Sequence, residues 1–235
     1  MNQTGKFSPQ QYARVAGILY LTIIIVGFFA ELFVRGKLID PGDAAVTANN
    51  IAANQQLWRT GVAADLLMHL CDVPVMLIIY VLLKPINKNL ALMAVLFNVV
   101  QTAVLVANKL NLLHGLFFLT DAAYLKAFTT GQLQALAYTY IKAHDYGYGI
   151  GLLFFGFTCI INGYLIRKSD YLPKLIGVLV QIAGCCYLTN SFLLIIKPDW
   201  ANTLFMLPSF IAELSFCLWL LIKGVNMNKW NERFA

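Results

Sequence analysis

Asp65, His69 and Asp72 stand at i, i+4 and i+7 within a run of apolar residues. That spacing puts three ionisable side chains on one face of a helix. His144 and Asp145 form a second carboxylate–imidazole set, and Glu213 is a further acid in an apolar run. Such groups can hold a cation, pass a proton or act as an acid–base pair near neutral pH. Glu31 and Arg35, at i and i+4, are spaced and oriented for an ion pair. Lys109 is a lone cation in another apolar run, and the expectation is that it pairs with Glu213 or Asp72. Asn98, Gln101, Thr102 and Asn108 share its stripe.

The runs that carry these residues are too apolar for a soluble domain. The chain is 60% hydrophobic and 12% charged, with a mean hydropathy of +0.70. A soluble domain is about half apolar and about a quarter charged. A helix crosses a bilayer with about 20 apolar residues, and six stretches qualify: 15–34, 61–83, 90–113, 147–166, 175–196 and 203–222. The fold class predicted is all-α, a six-helix membrane bundle in one integral domain over residues 1–235. The first stretch follows Lys6 and Arg14 as a secretory signal would, but it is long for one and lacks an A-x-A cleavage pattern, so it is taken as a retained span.

Lys and Arg set the orientation. One side holds Lys6, Arg14, Lys84, Lys88, Arg167, Lys168, Lys174, Lys223, Lys229 and Arg233 against Asp170 and Glu232, a balance of +8. The other side balances at +1, and the spans, with Glu31, Asp65, Asp72, Glu213 and Lys109, at −3. Both termini are therefore expected in the cytoplasm, and the pI of 9.1 reports topology, not nucleic-acid binding. In this frame Asp65, His69, Lys109, His144 and Asp145 fall in the outer half of the bundle. Asp72 and Glu213 fall near its middle.

Both long connections are external. The first carries Asp40-Pro41-Gly42-Asp43, a turn and cap, before a short Ala- and Asn-rich interfacial helix. The second carries Thr129 and Gln132 at capping-box spacing before another interfacial helix with Leu133, Leu136, Tyr140 and Ile141 on one face. Trp58, Trp200 and Trp219 sit near span ends, as interfacial aromatics do. The five cysteines all lie in spans, read as small buried residues. Pro74 follows Asp72 and frees the carbonyl of Leu70. No phosphate loop, nucleophile elbow or dinucleotide fingerprint occurs, and His69, Asp72, His144 and Asp145 match no metalloprotease spacing. No metal or cofactor is expected.

Ala13-Arg14-Val15-Ala16-Gly17-Ile18-Leu19-Tyr20, Phe33-Val34-Arg35-Gly36, Pro41-Gly42-Asp43-Ala44, Ala64-Asp65-Leu66, Cys71-Asp72-Val73, His144-Asp145-Tyr146-Gly147-Tyr148 and Tyr171-Leu172-Pro173 carry a family likeness. Over nearly its whole length the chain resembles a bacterial integral-membrane family catalogued as domain of unknown function 4386. The resemblance implies a polytopic membrane protein and no particular activity or cofactor.

An intramembrane ionisable residue is costly, at about 2.5–3.5 kcal/mol on the mild insertion scale. The leading expectation is an outward-facing polar pocket built from Asp65, His69, Asp72, His144, Asp145 and Glu213. It would bind a small polar or cationic solute for transport or sensing in the bacterial cytoplasmic membrane. A lipid- or prenyl-directed enzyme using His144 and Asp145 is one rival, and a non-catalytic membrane partner or assembly factor is another. The partners expected are the lipid bilayer and a small-molecule ligand, with no nucleic acid.

Overall fold

The structure is a computed structural model that describes residues 8–234. Lys6, counted above among the inner basic residues, lies outside the described residues. Helix α1 (Pro9–Phe28) runs into a π-helical segment, Phe29–Arg35, and a final turn, α2 (Gly36–Leu38). Gly42 takes φ 93°, which suits a residue without Cβ. The Asp43 carboxylate then caps α3 (Ala44–Ala53) by accepting from the Val46 amide at 2.9 Å. Helix α4 (Gln55–Leu83) continues through Pro74 without a break. Helix α5 spans Lys88–Phe117 and is followed by a 3-10 turn, Ala123–Ala127.

The Thr129–Gln132 capping box forms: the Gln132 side-chain oxygen accepts from the Thr129 amide at 2.9 Å, and Thr129 Oγ1 accepts from the Gln132 amide at 3.4 Å. It starts α6 (Thr130–Ser169), a single helix of 40 residues. The sequence reading separated an interfacial helix from the span that follows it, and the structure joins them. No proline interrupts residues 131–146, and half of the side chains there are strong helix formers.

Helices α7 (Lys174–Ile196), α8 (Met206–Ile222) and α9 (Met227–Phe234) complete the chain. Among the described residues, five helices are long and apolar enough to cross a membrane, or six if α8 and the residues after it, bent by 87°, count as one span. No strand occurs among the described residues. Polarity is inverted relative to a soluble protein: Asp65, His69, Asn98, Asn108, Lys109 and His144 are buried, whereas Ile18, Leu70, Leu77, Leu96 and Ile196 are more than half exposed. A surface of that kind suits lipid.

The chain divides into two compact units. One is drawn from Met1–Thr22, Cys71–Thr102 and Gly149–Ala235. In it α6 and α7 approach through glycines: a Cβ on Gly163 would lie 2.5 Å from the Gly177 carbonyl oxygen, and one on Gly177 2.6 Å from that of Gly163. Tyr171, from the turn between these helices, donates to the Leu82 carbonyl at 2.5 Å and meets Trp230 of α9 edge-on at 4.7 Å. Arg233 donates to the Lys168 carbonyl and to Asp170, so α9 is tied to that same turn.

The other unit is drawn from Ile23–Leu70 and Ala103–Tyr148. Its core joins Val34, Leu38, Ile51, Trp58, Val62, Leu112, Leu116 and Ile141. Trp58 was expected as an interfacial aromatic. It is 1% exposed and donates its indole N–H to the Leu112 carbonyl at 3.0 Å, which makes it a core residue. Cysteine placement also departs from expectation: Cys159 and Cys217 are buried, but Cys185 is exposed on α7.

Candidate functional site

The unit containing Trp58 gathers Asp65, His69, His144 and Asp145 with Glu31, Arg35 and Lys109. The π segment positions the first two charged residues. Its wider turn shows in the Gly36 amide, which donates five residues back to the Glu31 carbonyl. Such turns occur often at functional sites. Arg35 Nε donates to Glu31 at 2.7 Å, while its two Nη atoms donate to the Asp65 carboxylate at 2.6 and 3.3 Å. Lys109, from α5, donates to the same Asp65 oxygen at 3.0 Å. The partner of Lys109 is thus Asp65, not Glu213 or Asp72.

Lys109 Nζ is also 3.2 Å from His144 Nε2. The other imidazole nitrogen, Nδ1, lies 3.9 Å from Asp145, whose side chain is 49% exposed and pairs with Lys142 at 3.3 Å. The backbone at this point is held by Asn108, which donates to the His144 carbonyl at 2.9 Å. Gly147 makes room for that amide: a Cβ there would stand 2.1 Å from Asn108 Oδ1. Asp65, His69, Lys109 and His144 are all at least 95% buried. His69 Nε2 has no hydrogen-bond partner among the described residues.

Asp72 and Glu213 belong to the other unit. Asp72 accepts from Thr102 Oγ1 at 2.6 Å and from the Asn98 amide. Glu213 accepts from the hydroxyls of Tyr187 and Tyr20. Neither acid has a Lys, Arg or His nitrogen within 4 Å among the described residues. Tyr20 and Tyr187 were missed as candidates, because a tyrosine in an apolar span reads as bulk until its hydroxyl is placed. No group of three His, Cys, Asp or Glu that could hold a metal ion forms among the described residues.

A cleft of about 430 Å³ lies elsewhere in this unit, along α7, lined by Val178, Ile182, Cys185 and Phe205 among others. Its walls are mostly apolar and include none of the residues predicted for a site.

An uncharacterized protein of Archaeoglobus fulgidus is 30% identical over 163 residues, covering 69% of this chain and 83% of its own. The likeness therefore extends to an archaeal protein, beyond the bacterial range implied by the resemblance. No solved structure matches. The motif Phe33 to Gly36 carries the end of the π segment with its Arg35, the motifs between Ala64 and Val73 carry both α4 acids, and His144 to Tyr148 carries the lysine's second partner. All of these fall within residues 15–224, the stretch matched by the model of a domain of unknown function (DUF4386), and the chain belongs to that family.

Proposed function

We propose that this protein crosses the cytoplasmic membrane six times with both ends inside, and that it binds a small cation at Asp72 and Glu213 for transport or sensing. One observation carries the choice of site. These two acids of the apolar helices receive hydroxyl and amide hydrogen bonds but no counter-cation within 4 Å among the described residues. Asp65, by contrast, already has Arg35 and Lys109. A carboxylate withdrawn from water and left without a cation is neutralised by a proton or by a bound ion. Each carboxylate offers about four lone-pair sites, so the bonds present leave acceptor capacity for a ligand. The all-oxygen donor set suits a hard cation or an ammonium group.

The test is thermal unfolding of the purified full-length protein in micelles, with sodium, potassium, magnesium and ethylammonium chlorides at constant ionic strength. A ligand at about 100 times its Kd stabilises by about 2.7 kcal/mol, a rise of roughly 5–10 °C for a chain of this length. The rise should vanish in Asp72→Asn and Glu213→Gln. Identical responses in wild type and both variants would sink the reading.

A scaffold role is the second reading, favoured by the compensated network around Asp65. It predicts that the same variants alter stability alone. Reporter fusions at the C-terminus test the orientation, which rests on the +8 balance of the inner loops and both terminal segments.

A further inference from the structure

A series of ionisable side chains leads from the surface of the Trp58 unit into its interior. Asp145, 49% exposed, lies 3.9 Å from His144 Nδ1, His144 Nε2 lies 3.2 Å from Lys109 Nζ, and Lys109 Nζ lies 3.0 Å from the buried Asp65. We infer that this series is a proton relay, in which Lys109 holds one exchangeable proton and His144 passes it to and from the rim at Asp145.

The step balances. Lys109 gives a proton from Nζ to His144 Nε2 as the imidazole gives its Nδ1 proton to the Asp145 carboxylate, and Asp145 releases that proton to water. Lys109 is left as a neutral amine, His144 has exchanged one neutral tautomer for the other, and Asp145 is a carboxylate again. Return of the proton by the same route restores the start. The 3.9 Å step needs one small side-chain rotation or one bridging water.

Three features distinguish this arrangement from an ion pair that only fixes packing. His144 has ionisable groups at both ring nitrogens, whereas a packing pair needs neither the ring nor the exposed acid beyond it. Arg35 keeps Asp65 paired when Lys109 is neutral, so unloading strands no buried carboxylate. The His144 backbone is fixed by Asn108, which keeps the ring in register with Lys109.

The other charged or titratable groups facing this series are Glu31 and Arg35 from the first helix, His69 one turn beyond Asp65 on α4, and Lys142 and Tyr148 on α6. Lys142 pairs with Asp145, and the Tyr148 ring lies 5.9 Å from Lys109. His69 can bias the relay through its charge but has no hydrogen bond at Nε2 through which to join it.

The inference does not depend on a cation at Asp72 and Glu213. It is tested by 15N-histidine NMR of the full-length protein in micelles from about pH 5 to pH 10, the range that brackets imidazole and amine titration. The chain has 3 histidines, so the His144 signal is identified by its loss in His144→Gln. The expected result is a tautomer exchange at His144 with a single midpoint. Asp145→Asn and Lys142→Gln, both at the exposed rim, should move that midpoint in opposite directions by roughly half a pH unit or more, as nearby charges do. A fixed tautomer across the range, or a midpoint unmoved by both rim variants while the signal of the third histidine, His114 in the last turn of α5 against Tyr140, reports a folded protein, would overturn the relay.

Discussion

Replacing Asp65 with Asn keeps the shape of the side chain and removes the charge on which two cations converge. Arg35 retains Glu31 at 2.7 Å, so the group left without a counter-charge is Lys109, 2% exposed. Breaking one partner of a buried ion pair costs about 3–5 kcal/mol. Because Arg35 keeps a partner, the lower end applies, about 3 kcal/mol. For a chain of this length that is a fall of roughly 6–12 °C in the unfolding midpoint. The measurement is thermal and denaturant unfolding in micelles followed by tryptophan fluorescence. Trp58, buried in the same unit, serves as a local reporter. Lys109→Met in the Asp65→Asn background removes the stranded cation, and the double variant should recover at least about 1.5 kcal/mol relative to the sum of the two single losses. A single-variant loss below about 1 kcal/mol, the value of an exposed pair, would refute the reasoning, as would strict additivity.

Three further outcomes follow from contacts described above. Gly147→Ala places a Cβ 2.1 Å from Asn108 Oδ1; Asn108 must swing away from the His144 carbonyl, with a loss of about 1–3 kcal/mol that Asn108→Ala in the same chain should partly relieve in unfolding assays. Trp58→Phe removes the indole bond to the Leu112 carbonyl and should cost about 1–2 kcal/mol, read from the denaturant midpoint; a change below a few tenths would contradict its place in the core. Trp230→Ala combined with Arg233→Gln unties α9 from the Tyr171 turn, and limited proteolysis should then cut within 227–234 well before the wild type is cut, since a segment held by few contacts opens locally.

The helices were readable because their signal is summed over many residues. Five of the predicted spans fall on helices long and apolar enough to cross a membrane, the sixth, 203–222, falls on the 17-residue α8, which qualifies only together with the residues after its bend, and the Asp43 cap and the Thr129–Gln132 box begin helices where their spacing says they should. Continuity was harder. The merger of residues 130–146 with the following span depends on the absence of a break, and a change from polar to apolar composition resembles one. The π segment left no trace, because no residue type or spacing in Phe29–Arg35 marks a change from i−4 to i−5 bonding. Site residues were legible as types and not as partners. Asp65 and Asp72 share a helix face by spacing, yet Asp65 is held by Arg35 and Lys109, and Asp72 by Thr102. A shift of seven residues along α4 moves the side chain by about 10 Å, enough to change its neighbours altogether.

That difference in partners is itself a functional argument. A buried charge held by opposite charges resists substitution and has little spare capacity for a ligand, because its lone pairs and its field are already used. A half-buried carboxyl held by neutral donors keeps part of its capacity and gains most from a cation or a proton. Asp65→Asn should therefore cost stability and leave any cation response intact. Asp72→Asn and Glu213→Gln should leave the Thr102 and Tyr187 contacts largely in place, cost about 1 kcal/mol or less by loss of a charge-assisted hydrogen bond, and abolish the cation response. The prediction lies in the crossing of the two columns: stability falls where the response survives, and the response falls where stability survives. If both properties fell together in every variant, the acids would be packing groups of one kind, and charge compensation would no longer separate binding sites from struts in this protein.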